Sequence, residues 1–248
     1  LGIAGLAIIF GHNLLQGVSF AGQPAQFLWA VLFRLQLFSV TPNFTFMVLY
    51  PLIPWFGILL TGFAAGRLFE LPLEKRKKIG LQIGGVALAL FCLLRTFNFY
   101  GDPSPWSMQK TALFSFFSFI NVSKYPPSLL FSLVTLGVMC IILSIADGVK
   151  NRFTDVFSTY GKVPLFYYLV HWYLVHSAMF AMVFLQGFTW ADLEFGPFKF
   201  GRPATGAGLE LPGVYLVWLG IVALLYPLCK WYGRYKSAHP EQWLLRYI

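Results

Sequence analysis

Apolar residues fall along this chain in long runs separated by short polar clusters, and the runs set the elements to expect. The most informative stretch is Asn121 to Gly137, reading N-V-S-K-Y-P-P-S-L-L-F-S-L-V-T-L-G. In it a polar turn of Lys124, Tyr125, Pro126 and Pro127 opens an apolar run that reaches about Ile145. A run of about 20 apolar residues matches the thickness of a bilayer core. Paired prolines suit a helix entry, where first-turn N–H groups have no intrahelical partner. The pattern therefore predicts a spanning helix whose head, carrying Lys124 and Tyr125, sits at a membrane surface. Comparable runs cover Leu1 to about Phe20, about Phe44 to Phe69, about Ile79 to Phe97, Val163 to about Leu185 and about Leu211 to Tyr226. The expectation is an all-α, polytopic transmembrane helix bundle with about six spanning helices and short interfacial helices. Residues Ala21 to Asn43 hold an apolar piece too short to span and include Arg34, which reads as an interfacial or re-entrant segment. Ser107 to Ile120, short and aromatic, is expected to lie along the surface. Pro51 and Pro54 are expected to kink the second span near its outer third.

Composition agrees with this class. Of 248 residues 58% are hydrophobic, and only 11% are charged, against about 25% in a soluble domain. The mean hydropathy is +0.68. The net charge of +9 does not point to nucleic acid, because Lys and Arg gather at segment ends rather than as a stripe. Basic clusters at 75–78, 150–162 and 230–246 alternate with poorer loops, which places these ends, and the C-terminus, on the cytoplasmic side. The turn at 100–106, the Lys124–Pro127 head and the 186–210 loop then lie outside. Cys92, Cys140 and Cys229 are far apart inside apolar runs, so no disulfide framework or metal knuckle is expected. Leu1 already lies within an apolar segment, and the chain is expected to be the C-terminal part of a longer protein.

Polar residues inside the runs are the candidates for chemistry, because such groups are costly in a membrane and usually face a cavity. His12 and Asn13 interrupt the first run, and His171 and His176 lie in the fifth. A satisfied core histidine is the structural alternative for His12. Five residues apart, His171 and His176 point about 140° from each other on a helix, so they form no metal pair. At the third run's end Arg95, Asn98 and Asp102 gather in R-x-x-N-x-Y-G-D-P-x-P-W. An ion-pair network that only fixes loops is the alternative for Arg95, Asp102 and Lys124.

Together, G-H-N-L-L (Gly11 to Leu15), Y-P-L-I-P-W-F-G (Tyr50 to Gly57), the block from Arg95 to Trp106, K-Y-P-P-S-L-L-F (Lys124 to Phe131) and Y-G-K-V-P-L-F-Y-Y-L-V-H (Tyr160 to His171) resemble the bacterial branch of the heparan-α-glucosaminide N-acetyltransferase family. The family's first helix and its proposed catalytic histidine have no counterpart here. The chain is thus expected as one transmembrane acyltransferase-like domain over 1–248 that lacks the family's N-terminal helices. The resemblance implies transfer of an acetyl group from cytoplasmic acetyl-CoA, as co-substrate, to an amino sugar or other glycan acceptor outside a bacterial plasma membrane. It implies no metal. On this reading His12 or His171 serves as base, proton relay or orienting group. Asn13, Arg95, Asn98, Asp102, Lys124 and Tyr125 then bind the acceptor or the acyl carbonyl. Membrane lipids and a small-molecule or glycan acceptor are the expected partners, nucleic acid is not, and a homo-oligomer is left open. The rival readings are a multi-pass transporter or lipid-linked sugar flippase, which broken helices and intramembrane histidines would serve equally, and a structural partner subunit.

Overall fold

The computed structural model describes all residues except 42, 43, 197, 198, 247 and 248. The chain divides into two compact units, Leu1–Val149 and Lys150–Ile248.

The first unit opens with α1 (Gly2–Gly11), which runs into a 3-10 turn at His12–Leu15. Helix α2 (Gln23–Phe33) follows, then a hairpin of β1 (Gln36–Thr41) and β2 (Phe44–Val48) with Gln36 opposite Val48 and Phe38 opposite Phe46. Next come α3 (Leu52–Ala65), prolonged by a 3-10 turn at Gly66–Glu70, and α4 (Leu73–Phe97). The short α5 (Ala112–Ile120) and α6 (Leu129–Ala146) complete the unit. Two helix pairs pack through glycine. A Cβ on Gly84 of α4 would stand 2.7 Å from the Gly137 carbonyl of α6, and one on Gly5 of α1 would stand 2.8 Å from the Gly57 carbonyl of α3. Without a solvent-driven hydrophobic force between helices in lipid, such close backbone approach supplies the packing. Ile9, Phe91, Leu94, Leu129, Leu130 and Leu133 form the buried core where α1, α4 and α6 meet.

The second unit holds α7 (Arg152–Gly161), α8 (Pro164–Leu185), a 3-10 turn at Trp190–Asp192 and α9 (Leu211–Ala238). Asn151 and Thr154 cap α7 reciprocally, side chain to backbone in both directions. Val163, Leu225, Cys229 and Tyr232 form its core, with Phe166 stacked on Tyr232 at 4.1 Å. Pro227 lies inside α9, where it offers no N–H, and beside it the Tyr160 hydroxyl donates to the Val222 carbonyl at 2.6 Å.

Among the described residues five helices are long and apolar enough to cross a membrane: Leu52–Glu70, Leu73–Phe97, Leu129–Ala146, Pro164–Leu185 and Leu211–Ala238. Their outward faces expose large apolar side chains such as Leu59, Phe63, Ile142 and Leu216. The first run, expected as a further span, is a shorter apolar helix over Gly2–Leu15, about 20 Å at 1.5 Å per residue against a core about 30 Å thick. The segment read as interfacial or re-entrant folds as helix α2 followed by β1; its end at Asn43 lies outside the described residues. The second span begins at Leu52 and not near Phe44, because Phe44–Val48 pairs as β2. Nor do the prolines kink it: Pro51 is the N-cap of α3 and Pro54 lies in its first turn, where a missing N–H costs nothing.

Candidate functional site

The head of α6 draws three distant segments together. The first N–H groups of a helix lack intrahelical partners, and here each is met from elsewhere. Leu129 N donates to Asn13 Oδ1 at 2.9 Å, Leu130 N to the Gly101 carbonyl at 2.9 Å, and Phe131 N to the N-cap Ser128 Oγ at 2.9 Å. The carbonyl of Pro127 lies 2.8 Å from His12 Nε2. With its amides spent, this helix start has none left for an oxyanion. The other nitrogen of His12, Nδ1, is 3.0 Å from the Ile8 carbonyl and 3.1 Å from that of Ile9. Both ring nitrogens of this buried side chain therefore face acceptors, and neither presents a lone pair to a substrate.

Asp102 is the hub beneath that head. Its carboxylate accepts from Ser104 N at 2.8 Å, Ser123 N at 2.8 Å, Ser123 Oγ at 3.0 Å and Ser128 Oγ at 2.7 Å. Arg95, on the last turn of α4 and 1% exposed, directs its guanidinium at carbonyls: Phe119 at 2.9 Å, Ser104 at 2.8 Å, Ser118 at 3.0 Å and Asn121 at 2.6 Å. Asn98, left-handed at φ 54°, ends α4, and its amide donates to the Trp106 carbonyl at 2.9 Å and accepts from Trp106 N at 3.1 Å. These side chains hold the 98–123 loop in one shape. Among the described residues Arg95 forms no ion pair, so the loop is fixed by carbonyls rather than by an ion-pair network.

What remains presentable in this unit is the surface group at Lys124 and Tyr125. Lys124 is exposed, with Nζ 5.1 Å from the Tyr125 ring centre. The Tyr125 hydroxyl is 3.2 Å from that of Tyr50, and the Tyr50 ring packs on Trp55 at 5.9 Å. The hydrogen bond with Tyr50, and then that with Lys124, hold the Tyr125 phenol below its usual range. Tyr50 reads in the sequence as a membrane-belt aromatic; its Y-P-L-I-P setting, just ahead of a helix, is the only signal of this pairing. A groove of about 630 Å³ lies beside α5, lined by Gln109, Phe117, Ser118 and Asn121 among others, and none of the expected site residues lines it.

In the second unit His171 stands differently from His12. Its Nδ1 donates to the Tyr168 carbonyl one turn back, and its ring stacks on Tyr167 at 5.4 Å with the planes 6° apart. With Nδ1 as donor, Nε2 carries the lone pair, and among the described residues it has no hydrogen-bond partner. His176 bonds the Trp172 carbonyl at 2.8 Å and meets Trp172 and Phe200. Among the described residues no three His, Cys, Asp or Glu side chains gather as a metal site. At the other end of α4, Arg76 is committed to Asp147 through Nε and, at 2.9 Å, Nη2, while Lys75, Lys77 and Lys78 make no ion pair among the described residues.

Fold and composition together define a polytopic α-helical integral membrane protein. Residues 1–100 of the 248 match the family model described as heparan-alpha-glucosaminide N-acetyltransferase, catalytic, so that stretch of the chain is similar to that family. The matched stretch contains His12, Asn13, Arg95 and Asn98. No curated protein and no solved structure matches the chain.

Proposed function

We propose that the protein is a membrane-bound acyltransferase that moves an acetyl group from cytoplasmic acetyl-CoA to an amine or hydroxyl of a glycan acceptor on the outer side of a bacterial plasma membrane. The family match over residues 1–100 carries this reading. The chemistry asks for a base that takes the acceptor's proton as its nitrogen or oxygen attacks the thioester carbonyl, the thiolate of CoA leaving and being protonated. His171 suits that role, its Nδ1 donor and ring stacking leaving Nε2 as acceptor. His12 is a positioning residue, which together with Asn13 docks α6. Arg95, Asn98 and Asp102 shape the outer loop, and Lys124 and Tyr125 are the acceptor's contacts. Lys75, Lys77 and Lys78 are available to the phosphates of CoA.

The test is acceptor-dependent thiol release from acetyl-CoA by the full-length purified protein with glucosamine-type acceptors. His171→Ala is expected to lower kcat by about 10²- to 10⁴-fold with unchanged thermal unfolding. His12→Ala is expected to lower the melting temperature as well as the rate. If the wild type neither releases thiol nor binds acetyl-CoA, the enzyme reading fails and transport takes its place.

A further inference from the structure

Arg34 is the only Lys, Arg, Asp or Glu among residues 1–66. It sits just past α2, half-buried, where the backbone turns extended toward β1. Among the described residues its guanidinium makes no hydrogen bond and no ion pair. A half-buried cation without a counter-charge is costly, and the chain around it has no carboxylate to offer. It also lines a cavity of about 90 Å³ together with Ser19, Phe20, Gln26, Trp29 and Gln36. The cavity wall is rigid on one side, Trp29 packing between Phe20 at 5.0 Å and Phe33 at 4.4 Å. On another, Gln26 is pinned by its 3.0 Å bond to the Phe20 carbonyl. The polar groups among the lining side chains are a guanidinium, a hydroxyl, two amides and the Trp29 indole, and no acid.

We infer that this cavity binds a phosphate-class oxoanion against Arg34. The planar guanidinium fork matches two oxygens of such a group, and Ser19 and Gln36 supply further donors. A cavity of about 90 Å³ admits one tetrahedral oxoanion. The inference does not rest on the acyltransferase reading. Two sources offer this chemistry, free inorganic phosphate and a phospholipid headgroup, and the segment's expected interfacial place brings both within reach.

The experiment uses the full-length protein in a neutral detergent. Its melting temperature is recorded with inorganic phosphate against sodium chloride at matched ionic strength, and with phosphatidylglycerol against a phosphate-free galactolipid. The expected result is a rise of about 2–4 °C with one of the two phosphate sources, lost in Arg34→Gln, kept in part in Arg34→Lys and kept in full in Lys110→Gln. A rise with inorganic phosphate identifies the free anion; a rise with phosphatidylglycerol alone identifies the headgroup. Should Arg34→Gln fail to fold, Gln36→Leu, which lines the cavity without bearing charge, is expected to weaken the same shift. No rise with either source, or a rise that survives both Arg34→Gln and Gln36→Leu, overturns the inference.

Discussion

Arg95 offers the sharpest test of what the polar residues at the end of α4 do. Its four hydrogen bonds run to the carbonyls of Phe119, Ser104, Ser118 and Asn121, so one side chain at the end of α4 ties down both flanks of α5. Hydrogen bonds to a charged group contribute about 1.5–3 kcal/mol each, and burial of the cation offsets much of that sum. Arg95→Lys keeps the charge, but an ammonium has three donors and no planar fork, so at least one carbonyl goes unmet. The expected cost is about 2–3 kcal/mol. Arg95→Met removes every donor, and the expected cost rises to about 3–5 kcal/mol. The measurement is thermal unfolding in detergent alongside acceptor kinetics well below the melting temperature. If Arg95 is a loop fastener, both variants melt earlier, and the acceptor KM of Arg95→Lys stays within about threefold of wild type, less than one tenfold step of 1.4 kcal/mol. A tenfold rise in acceptor KM with an unchanged melting temperature would refute the fastener and restore Arg95 as an acceptor ligand.

Three further outcomes follow from the packing and the caps. Gly84→Ala is expected to cost about 1–3 kcal/mol, since its Cβ would meet the Gly137 carbonyl at 2.7 Å, whereas Gly85→Ala, with nothing within 4 Å, is expected to be neutral or to stabilise by up to about 1 kcal/mol; melting temperatures of the pair decide it. Asn13→Ala leaves Leu129 N without its acceptor and is expected to cost about 1–2 kcal/mol, read in the same way. The hydrogen bonds from Arg76 hold the Asp147 carboxyl below its usual range, so the stability they provide is present above the unfolded value of about 3.9 and is lost as pH falls through the lowered one. Melting temperatures of wild type and Asp147→Asn should therefore differ at neutral pH and begin to converge only as pH falls below about 4; a gap that does not narrow at all with acid would contradict the pairing.

The membrane architecture was legible because it depends on length and apolar character alone. The runs ending in α6 and α8 were placed to within a few residues, bounded by Pro127 and Asp147 in one case and Pro164 and Gln186 in the other. The hairpin was hidden by the same criterion: Phe44 to Val48 is apolar and continuous with α3, so its aromatic and β-branched composition, a strand signal, was absorbed into a span. Pro51 and Pro54 carry one chemistry and two readings, and only the position of the helix start decides between a kink and a cap. Helix α7 was lost in a polar stretch, although Asn151 and Thr154 spell a cap three residues apart. Of the candidate site, the residue identities were visible, but the partners of His12, Arg95 and Asn98 are backbone carbonyls and amides. Every residue carries those groups, so no sequence pattern announces them.

The contact between His12 and Pro127 spans 115 positions of chain. At a synthesis rate of about 5–20 residues per second, the carbonyl that Nε2 meets is made about 6–23 s after the histidine itself. Through that interval the end of α1 holds polar groups whose partners do not yet exist, and α6 cannot be capped from Asn13 until its own first turn has emerged. The first segment must therefore wait at a hydrated membrane surface, or in the keeping of the insertion machinery, until the third long apolar helix of this unit arrives to receive it.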